Sequence, residues 1–518
     1  MARENETRKS LVAELTEAIQ QAQREQTLHL VDVVRHEGPG IQLPVGLEYR
    51  DAIDIFRRKI REEEEFVDLH ASVNASPFDG AYALYRALTN IFGIAVQAKD
   101  SWGDRDNIQV VIDADGNTVN VPWGTFEVPG VNGQFESAYT EEDGRIIFKI
   151  KAHIQGKARH VFNELVARTK QLVAQSSIYR GQALDVRFSD NRGSREAIPA
   201  ISFINVRNAP LPIFDEDIAE QLEHDVFYYI NFASAVRKRR GSVKRGILLA
   251  GEYGVGKTMT ARYIAQLATT NGFTFIYAKK PTDLAWALDF AQMYQPAIVF
   301  VEDIEKAAGR ERTTEVDRIS VKMDGVDNKK LDIITIATTN NLSEVNEVLR
   351  RPGRFDFTLM MTAPKAGAAL KIASLYARQD FPLEEYAEAG ESLSGMIPAV
   401  IEEAVSRAQN RADARGHGEP SPIQPVDLLR AARSVQAERE LNKTTQPLDE
   451  EQEFLLNFAQ TLGYSLGNPV GDVLERLMSA LASNPELLTS VASKKGDHTH
   501  VQNASVQDRQ LEHANGNR

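Results

Sequence analysis

The chain has 518 residues, 42% of them hydrophobic and 26% charged, with a net charge of −13 and no cysteine. Such a length supports roughly two or three domains with cores of their own, and the acidic balance argues against broad nucleic-acid binding by bulk charge. Disulfide scaffolds, thiolate metal sites and cysteine nucleophiles are excluded outright.

In chain order, residues 5–26 carry Leu11, Leu15, Ile19 and Ala22 at helical spacing, which predicts an amphipathic helix within 1–30. Glu4, Glu6 and Glu14 interrupt any apolar core there, so the segment does not read as a secretory signal. The apolar runs farther along fall well short of a bilayer span, and the expectation is a cytoplasmic protein. From 31 to 205 the pattern is α/β: a helix lined by Ile53, Phe56, Ile60 and Val67, a second helix over 79–91, and strands at 108–112, 118–121 and 125–128. Alternation at Ile146, Phe148, Ile150 and Ala152 marks a strand with one wet face, followed by a helix over 157–174. His153 and His160 lack acidic neighbours at ligand spacing, and no catalytic constellation stands out in this stretch.

After a linker with Pro199, Pro210 and Pro212 the character changes. A short apolar run over 246–250 meets Gly251-Glu-Tyr-Gly-Val-Gly-Lys-Thr258 and then a helical pattern beginning at Met259. A strand, a glycine-rich turn and a helix opening at a lysine form the phosphate-binding loop. Its backbone N–H groups, from Gly251, Glu252, Tyr253, Gly254, Val255 and Gly256 into Lys257, Thr258 and Met259, can curl around phosphate oxygens at a helix N-terminus. Lys257 can reach the outer phosphates and the Thr258 hydroxyl can sit on Mg²⁺, which makes ATP and Mg²⁺ the expected cofactors. The apolar block 297–301 reads as a buried parallel strand ending in Glu302 and Asp303. Carboxylates at that edge face the ligand crevice of an open α/β sheet. One of them should hold the metal, mostly through water, and its neighbour should orient or activate the attacking water.

Downstream come Lys322-Met-Asp-Gly-Val326, Ile333-Ile-Thr-Ile-Ala-Thr-Thr-Asn340 and Leu349-Arg-Arg-Pro-Gly-Arg-Phe-Asp356. Together with the phosphate loop these resemble the AAA family of ring ATPases, within the broader AAA+ class, over about residues 213–412. The resemblance implies a P-loop NTPase fold: a parallel αβα sheet with a small helical lid, preceded by a separate α/β domain and followed by a helical C-terminal extension. It implies that Asn340 positions the attacking water, and that Arg351 and Arg354 reach the γ-phosphate held by the neighbouring subunit. Backbone near Asp217 and Ile218, and Gly395 in a Ser-Gly pair, would lie beside adenine. Sites completed in trans require a heterologous interface that closes, and the family implies a homo-hexameric ring. The expected organisation is an ATPase core over 206–362, a lid over 363–445, a helical extension over 446–493 and a polar tail over 494–518, with helices at 364–378, 383–412, 425–441, 449–462 and 470–482.

Two features depart from the family pattern. The acidic pair is inverted, Glu302 before Asp303, an order similar to that of the mitochondrial AAA translocase of folded Rieske protein. By position in the family pattern Glu302 would take the metal-side role and Asp303 the water-side role, which leaves the water-side carboxylate one methylene short. The aromatic-apolar-glycine pore loop is also missing: the strand 273–278 runs through Lys279 to Leu284 into a helix over 285–293, with Trp286 the nearest large aromatic. Threading of an unfolded chain is therefore not expected. The domain ahead of the core would select a protein substrate or partner. Arg310 and Arg312 stand where ring ATPases face the central channel, and Arg237-Lys-Arg-Arg240 with Lys244 and Arg245 forms a basic cluster that reads as a linker or subunit contact. Three classes stay open: a ring that remodels a protein partner, a nucleic-acid-associated ATPase, and a nucleotide-gated scaffold with little turnover. No His-Glu-x-x-His protease motif occurs.

Overall fold

The computed structural model describes residues 49–444 apart from 94–97, 99–106, 191–193, 241, 312 and 325–330. The helices expected at 5–26, 449–462 and 470–482, the polar tail and Arg312 lie outside the described residues. The chain divides after Arg433 into two compact units; of the second, only the end of one helix is described.

Helix α1 (Tyr49–Glu64) stops in a run of glutamates, and from Phe66 the pattern switches to period two, giving strand β1 (Phe66–Val73). Val67, expected on the helix, therefore belongs to the strand. After helix α2 (Pro77–Phe92), the hairpin β2 (Asn107–Val111) and β3 (Thr118–Pro122) stands apart as a two-stranded ribbon. β4 (Gly124–Phe126), β5 (Gly133–Glu142) and β6 (Arg145–Gln155) join β1 in an antiparallel sheet of order β1-β6-β5-β4. β5 was not anticipated, because among its ten residues only Phe135 and Ser137 are buried and the rest reads as polar loop. Helices α2 and α3 (Arg159–Ser176) cover this sheet through Leu84, Leu88 and Leu165 against Phe148 and Ile150.

The second sheet has seven strands in the order β13-β9-β12-β11-β10-β7-β8. These are β7 (Ala183–Ser189), β8 (Arg195–Phe203), β9 (Arg245–Ala250), β10 (Thr274–Ala278), β11 (Ala297–Val301), β12 (Ile333–Thr339) and β13 (Phe357–Met360). All neighbours are parallel except β8, which runs antiparallel to β7. β11 and β12 are buried along their whole length, as strands covered on both faces must be. The boundary expected at 205 falls after β7 and β8, which extend the seven-stranded sheet. Leu184, Val186 and Phe188 alternate into the core. Buried Asp283, just after β10, accepts from the Phe188 amide (3.0 Å) and the Ser189 hydroxyl (2.7 Å), fixing β7 in place.

The two sheets share one hydrophobic core. At the seam, fully buried Asp79 accepts from the Ser177 hydroxyl (2.7 Å) and the Ile178 amide (3.0 Å). Burial pushes its carboxyl up, and these bonds partly offset the shift. Arg180 donates to the carbonyls of Gln295 (2.6 Å) and Met293 (3.1 Å), and the Ser76 amide donates to the Tyr294 hydroxyl (2.8 Å).

Helices α4 (Glu216–Leu222) and α5 (Ala233–Arg240) lead into the sheet; α6 (Lys257–Thr270), α7 (Leu284–Ala291) and α8 (Thr314–Asp324) connect its strands. The lid contains α9 (Ala366–Ala377), α10 (Leu383–Leu393) and α11 (Pro398–Arg415), followed by α12 (Pro425–Thr444). The single helix expected over 383–412 is broken because Gly395 takes a left-handed φ of 75° and Pro398 starts α11. Among the described residues no helix is long and apolar enough to cross a membrane.

Gly80 on α2 faces Phe148 so closely that an added Cβ would lie 2.3 Å from Phe148 Cβ and Cγ. Gly80→Ala should destabilise the fold by about 1–3 kcal/mol. Chemical denaturation checks this, and an unchanged midpoint refutes the packing.

Candidate nucleotide-binding site

β9 ends in the phosphate loop, and each of its key glycines has a structural reason. A Cβ on Gly251 would lie 2.2 Å from the Met361 carbonyl oxygen. Gly254 and Gly256 take φ of 80° and 105°, which L side chains avoid. A Cβ on Gly254 would also lie 2.8 Å from Ile397 of the lid, and one on Gly256 would touch Phe214 at 3.4 Å. Phe214 and Ile397 thus flank the loop with apolar surface. Sequence reasoning missed both, since neither belongs to a polar motif. Tyr253 is 71% exposed, Glu252 and Met259 are exposed, and Val255 is buried beneath the turn.

Lys257 is the first residue of α6, and its ammonium is held between the carbonyls of Gly251 (2.6 Å) and Glu252 (2.8 Å) and Asn340 Oδ1 (2.8 Å). Burial lowers its pKa, against the opposing pull of Asp303, Glu305 and Glu302. Asn340 stands at the end of β12, where its Nδ2 donates to Asp303 Oδ1 at 2.9 Å. One amide therefore links the loop lysine to the second carboxylate.

The two acidic residues have different partners. The Thr258 hydroxyl donates to Glu302 Oε1 at 2.6 Å, and the Tyr277 hydroxyl donates to Glu302 Oε2 at 2.9 Å. Burial, then this bond, raises the Tyr277 phenol well above its ordinary range. Asp303 sits in the left-handed region (φ 51°), its amide on Thr338 Oγ1 (3.1 Å) and its Oδ2 on the Lys306 ammonium (2.6 Å). That bond raises the Lys306 pKa. Glu305, the third carboxylate, accepts from the Asn340 amide at 3.2 Å, while its Oε2 is buried without a hydrogen bond among the described residues. Tyr277, Glu305 and Lys306 were not foreseen; the spacing Glu302-Asp-Ile-Glu-Lys306 was the available signal for the last two.

The residues present fit a magnesium nucleotide. The loop offers a cradle that side chains would fill, a lysine is ready to exchange carbonyl partners for phosphate oxygens, and Thr258 and Glu302 bring together hard oxygen donors. Among the described residues no cluster of three or more His, Cys, Asp or Glu could hold a metal.

The adenine-side residues divide. Ile218 is buried in the core and Asp217 is exposed, its carboxylate 3.5 Å from Lys365 Nζ. The neighbouring Asp215 accepts from the Lys365 amide (3.0 Å), clipping α4 to the start of the lid. The Gly395 amide donates to the Pro364 carbonyl (2.9 Å).

The two arginines behave differently. Arg351 is exposed. Arg354, expected to reach into a neighbour's site, is occupied within its own chain. Its Nε donates to Asp324 Oδ2 (2.6 Å), its Nη1 to Ser320 Oγ (3.0 Å) and the Val348 carbonyl (2.6 Å), and its Nη2 pairs with Asp324.

The remaining candidates have partners within the chain. The guanidinium groups of Arg195 (5.7 Å) and Arg318 (4.3 Å) lie over the Trp286 ring. Arg310 donates to Ser343 through Nε and Nη2. In the basic cluster, Arg237 pairs with Asp332 (2.5 Å), Arg245 with Asp225 (3.0 Å) and Lys244 with the Met323 carbonyl. Arg239 and Arg240 lie over Tyr228 and Tyr229.

Residues 247–363 match the family described as ATPase family associated with various cellular activities (AAA). The chain is 28% identical over 236 residues to the ATP-dependent zinc metalloprotease FtsH 1 of Thermomicrobium roseum, covering 39% of this chain and 35% of that protein. It is 30% identical over 205 residues to the ATP-dependent zinc metalloprotease FtsH of Aquifex aeolicus (35% and 32%). It is 27% identical over 228 residues to the probable inactive ATP-dependent zinc metalloprotease FTSHI 2, chloroplastic, of Arabidopsis thaliana (40% and 26%). The chain thus spans about a third or less of the length of these relatives. The nucleotide-binding region is an AAA ATPase domain, with a further α/β region ahead of it.

If Arg354 serves its own chain, Arg354→Ala should cost about 1.5–3 kcal/mol, as lost bonds to a charged group do. Arg351→Ala should leave stability within about 0.5 kcal/mol of the parent. Denaturation midpoints of the two variants decide this, and equal midpoints refute the distinction.

Proposed function

We propose that this protein is an ATP-hydrolysing ring ATPase that remodels a protein partner, its sites completed between neighbouring subunits of a homo-oligomer, a hexamer by family precedent. The observation that carries the reading is the convergence of Lys257, Thr258, Glu302, Asp303 and Asn340 at one edge of the sheet, joined by hydrogen bonds of 2.6–2.9 Å. In this reading the loop and Lys257 bind the β- and γ-phosphates, while Thr258 and Glu302 hold Mg²⁺. The metal supplies positive charge against the phosphate oxygens. Asp303 and Asn340 orient the attacking water. Arg351, exposed and standing in the family's finger motif, enters the adjacent subunit's pocket.

A protein partner is favoured over nucleic acid because Arg237, Lys244 and Arg245 of the basic cluster are engaged within the chain and the net charge is −13. Two of the relatives are named as ATP-dependent zinc metalloproteases and the third as a probable inactive one, names that point to protein as their substrate. Their proteolysis is not carried over, because the chain holds no His-Glu-x-x-His. Trp286, with two guanidinium groups over its ring, also gives no support to an aromatic threading loop. A slow-turnover, nucleotide-gated scaffold is the second reading. It is favoured by Asp303, shorter than the family's glutamate and bound to both Lys306 and Asn340.

Steady-state ATPase assays test the proposal. Lys257→Ala and Asp303→Asn should each lower turnover at least about 100-fold. Arg351→Ala should bind ATP but lose about 10³-fold or more in turnover, and mixing it with Lys257→Ala should restore part of the rate through mixed interfaces. Parental rates in all three variants would refute the site, and absence of rescue would refute sharing. A parent that binds ATP without measurable turnover would favour the scaffold.

A further inference from the structure

The inverted acidic pair poses a geometric problem that this chain answers with a residue on another strand. Glu302 stands at the metal side of the site with a side chain one methylene longer than the aspartate expected there. The extra rotatable bond gives its carboxylate more positions to sample. In the structure both of its oxygens are engaged: Oε1 takes the Thr258 hydroxyl at 2.6 Å and Oε2 takes the Tyr277 hydroxyl at 2.9 Å. Tyr277 lies opposite Phe300 in the parallel register of β10 and β11. Its ring packs on that phenylalanine with centroids 5.6 Å apart at 37°. The phenol is thus braced by the strand that carries Glu302, and it reaches past the strand end, which a serine or threonine would not do.

We propose that Tyr277 is a positioning residue that tethers the long Glu302 carboxylate beside Thr258, and so supports binding of the magnesium form of the nucleotide. This rests on the reading of the site as an ATP site. A hydrogen bond from a neutral donor to a carboxylate contributes about a tenfold effect when lost. The tether should be dispensable when the carboxylate is short, because an aspartate at 302 reaches Thr258 with one fewer bond to fix and falls short of the phenol.

The test uses the full chain and a fluorescent ADP analogue, titrated with Mg²⁺ and with EDTA. The parent should bind more tightly with Mg²⁺, and Lys257→Ala should lose binding in both conditions. Tyr277→Phe should keep the affinity in EDTA within about twofold and lose about tenfold of the gain due to Mg²⁺. In a Glu302→Asp background the same change should alter that gain by less than about twofold, since there is no tether left to lose. Equal losses in Mg²⁺ and EDTA, which a folding defect would also give, overturn the proposal. So does an unchanged or larger Mg²⁺ gain in Tyr277→Phe, or an undiminished loss in the Glu302→Asp background. A parent that binds no better than Lys257→Ala defeats the ATP-site reading itself; a parent with a Mg²⁺ gain that Tyr277→Phe retains defeats the tether alone.

Discussion

The whole site depends on the pairing register of three buried parallel strands. β12 pairs with β9 so that Thr339 stands opposite Ala250, and with β11 so that Ala337 stands opposite Val301. These pairings bring the start of the phosphate loop, Asn340 and the acidic pair to one edge, where the short bonds among Lys257, Asn340 and Asp303 form. A slip by one residue would turn every side chain to the opposite face of the sheet, and close packing of these side chains against the layers on both faces opposes it. Packing of Ile, Val and Ala therefore determines where the charged groups meet.

What could be read from the chain follows the same logic. Gly251–Thr258, the strand ending at Glu302 and the strand ending at Asn340 were legible because continuous apolar runs and a glycine pattern with a mechanical purpose leave few alternatives. β7 and β8 were not, since they form the last two positions of the sheet, mix polar with apolar residues and follow a domain with strands of its own. β5 was hidden by its polar composition. Tyr277 escaped because nothing local to its sequence says that a phenol will reach the neighbouring strand's carboxylate. Arg354 shows the limit of motif reading. The pattern Arg-Pro-Gly-Arg places two arginines in a loop, but only tertiary contacts reveal that Asp324, Ser320 and the Val348 carbonyl occupy the second.

The acidic edge is also where local backbone and side-chain length compensate each other. Asp303 adopts a left-handed conformation that disfavours most residues, and the Thr338 hydroxyl and Lys306 ammonium help hold it. Its short carboxylate still reaches Asn340. The longer partner, Glu302, is restrained from the opposite side. Each acid of the pair is thus held by residues that belong to other elements.

The buried seam between the two sheets has a mechanical consequence. Asp79, Ser177, Arg180 and Tyr294 bind the four-stranded layer to the loop before β11 through groups that water does not reach easily. Parting them would strand donors and acceptors without partners. The four-stranded layer is therefore rigidly coupled to the sheet that carries the phosphate loop, so that a load placed on one is felt by the other.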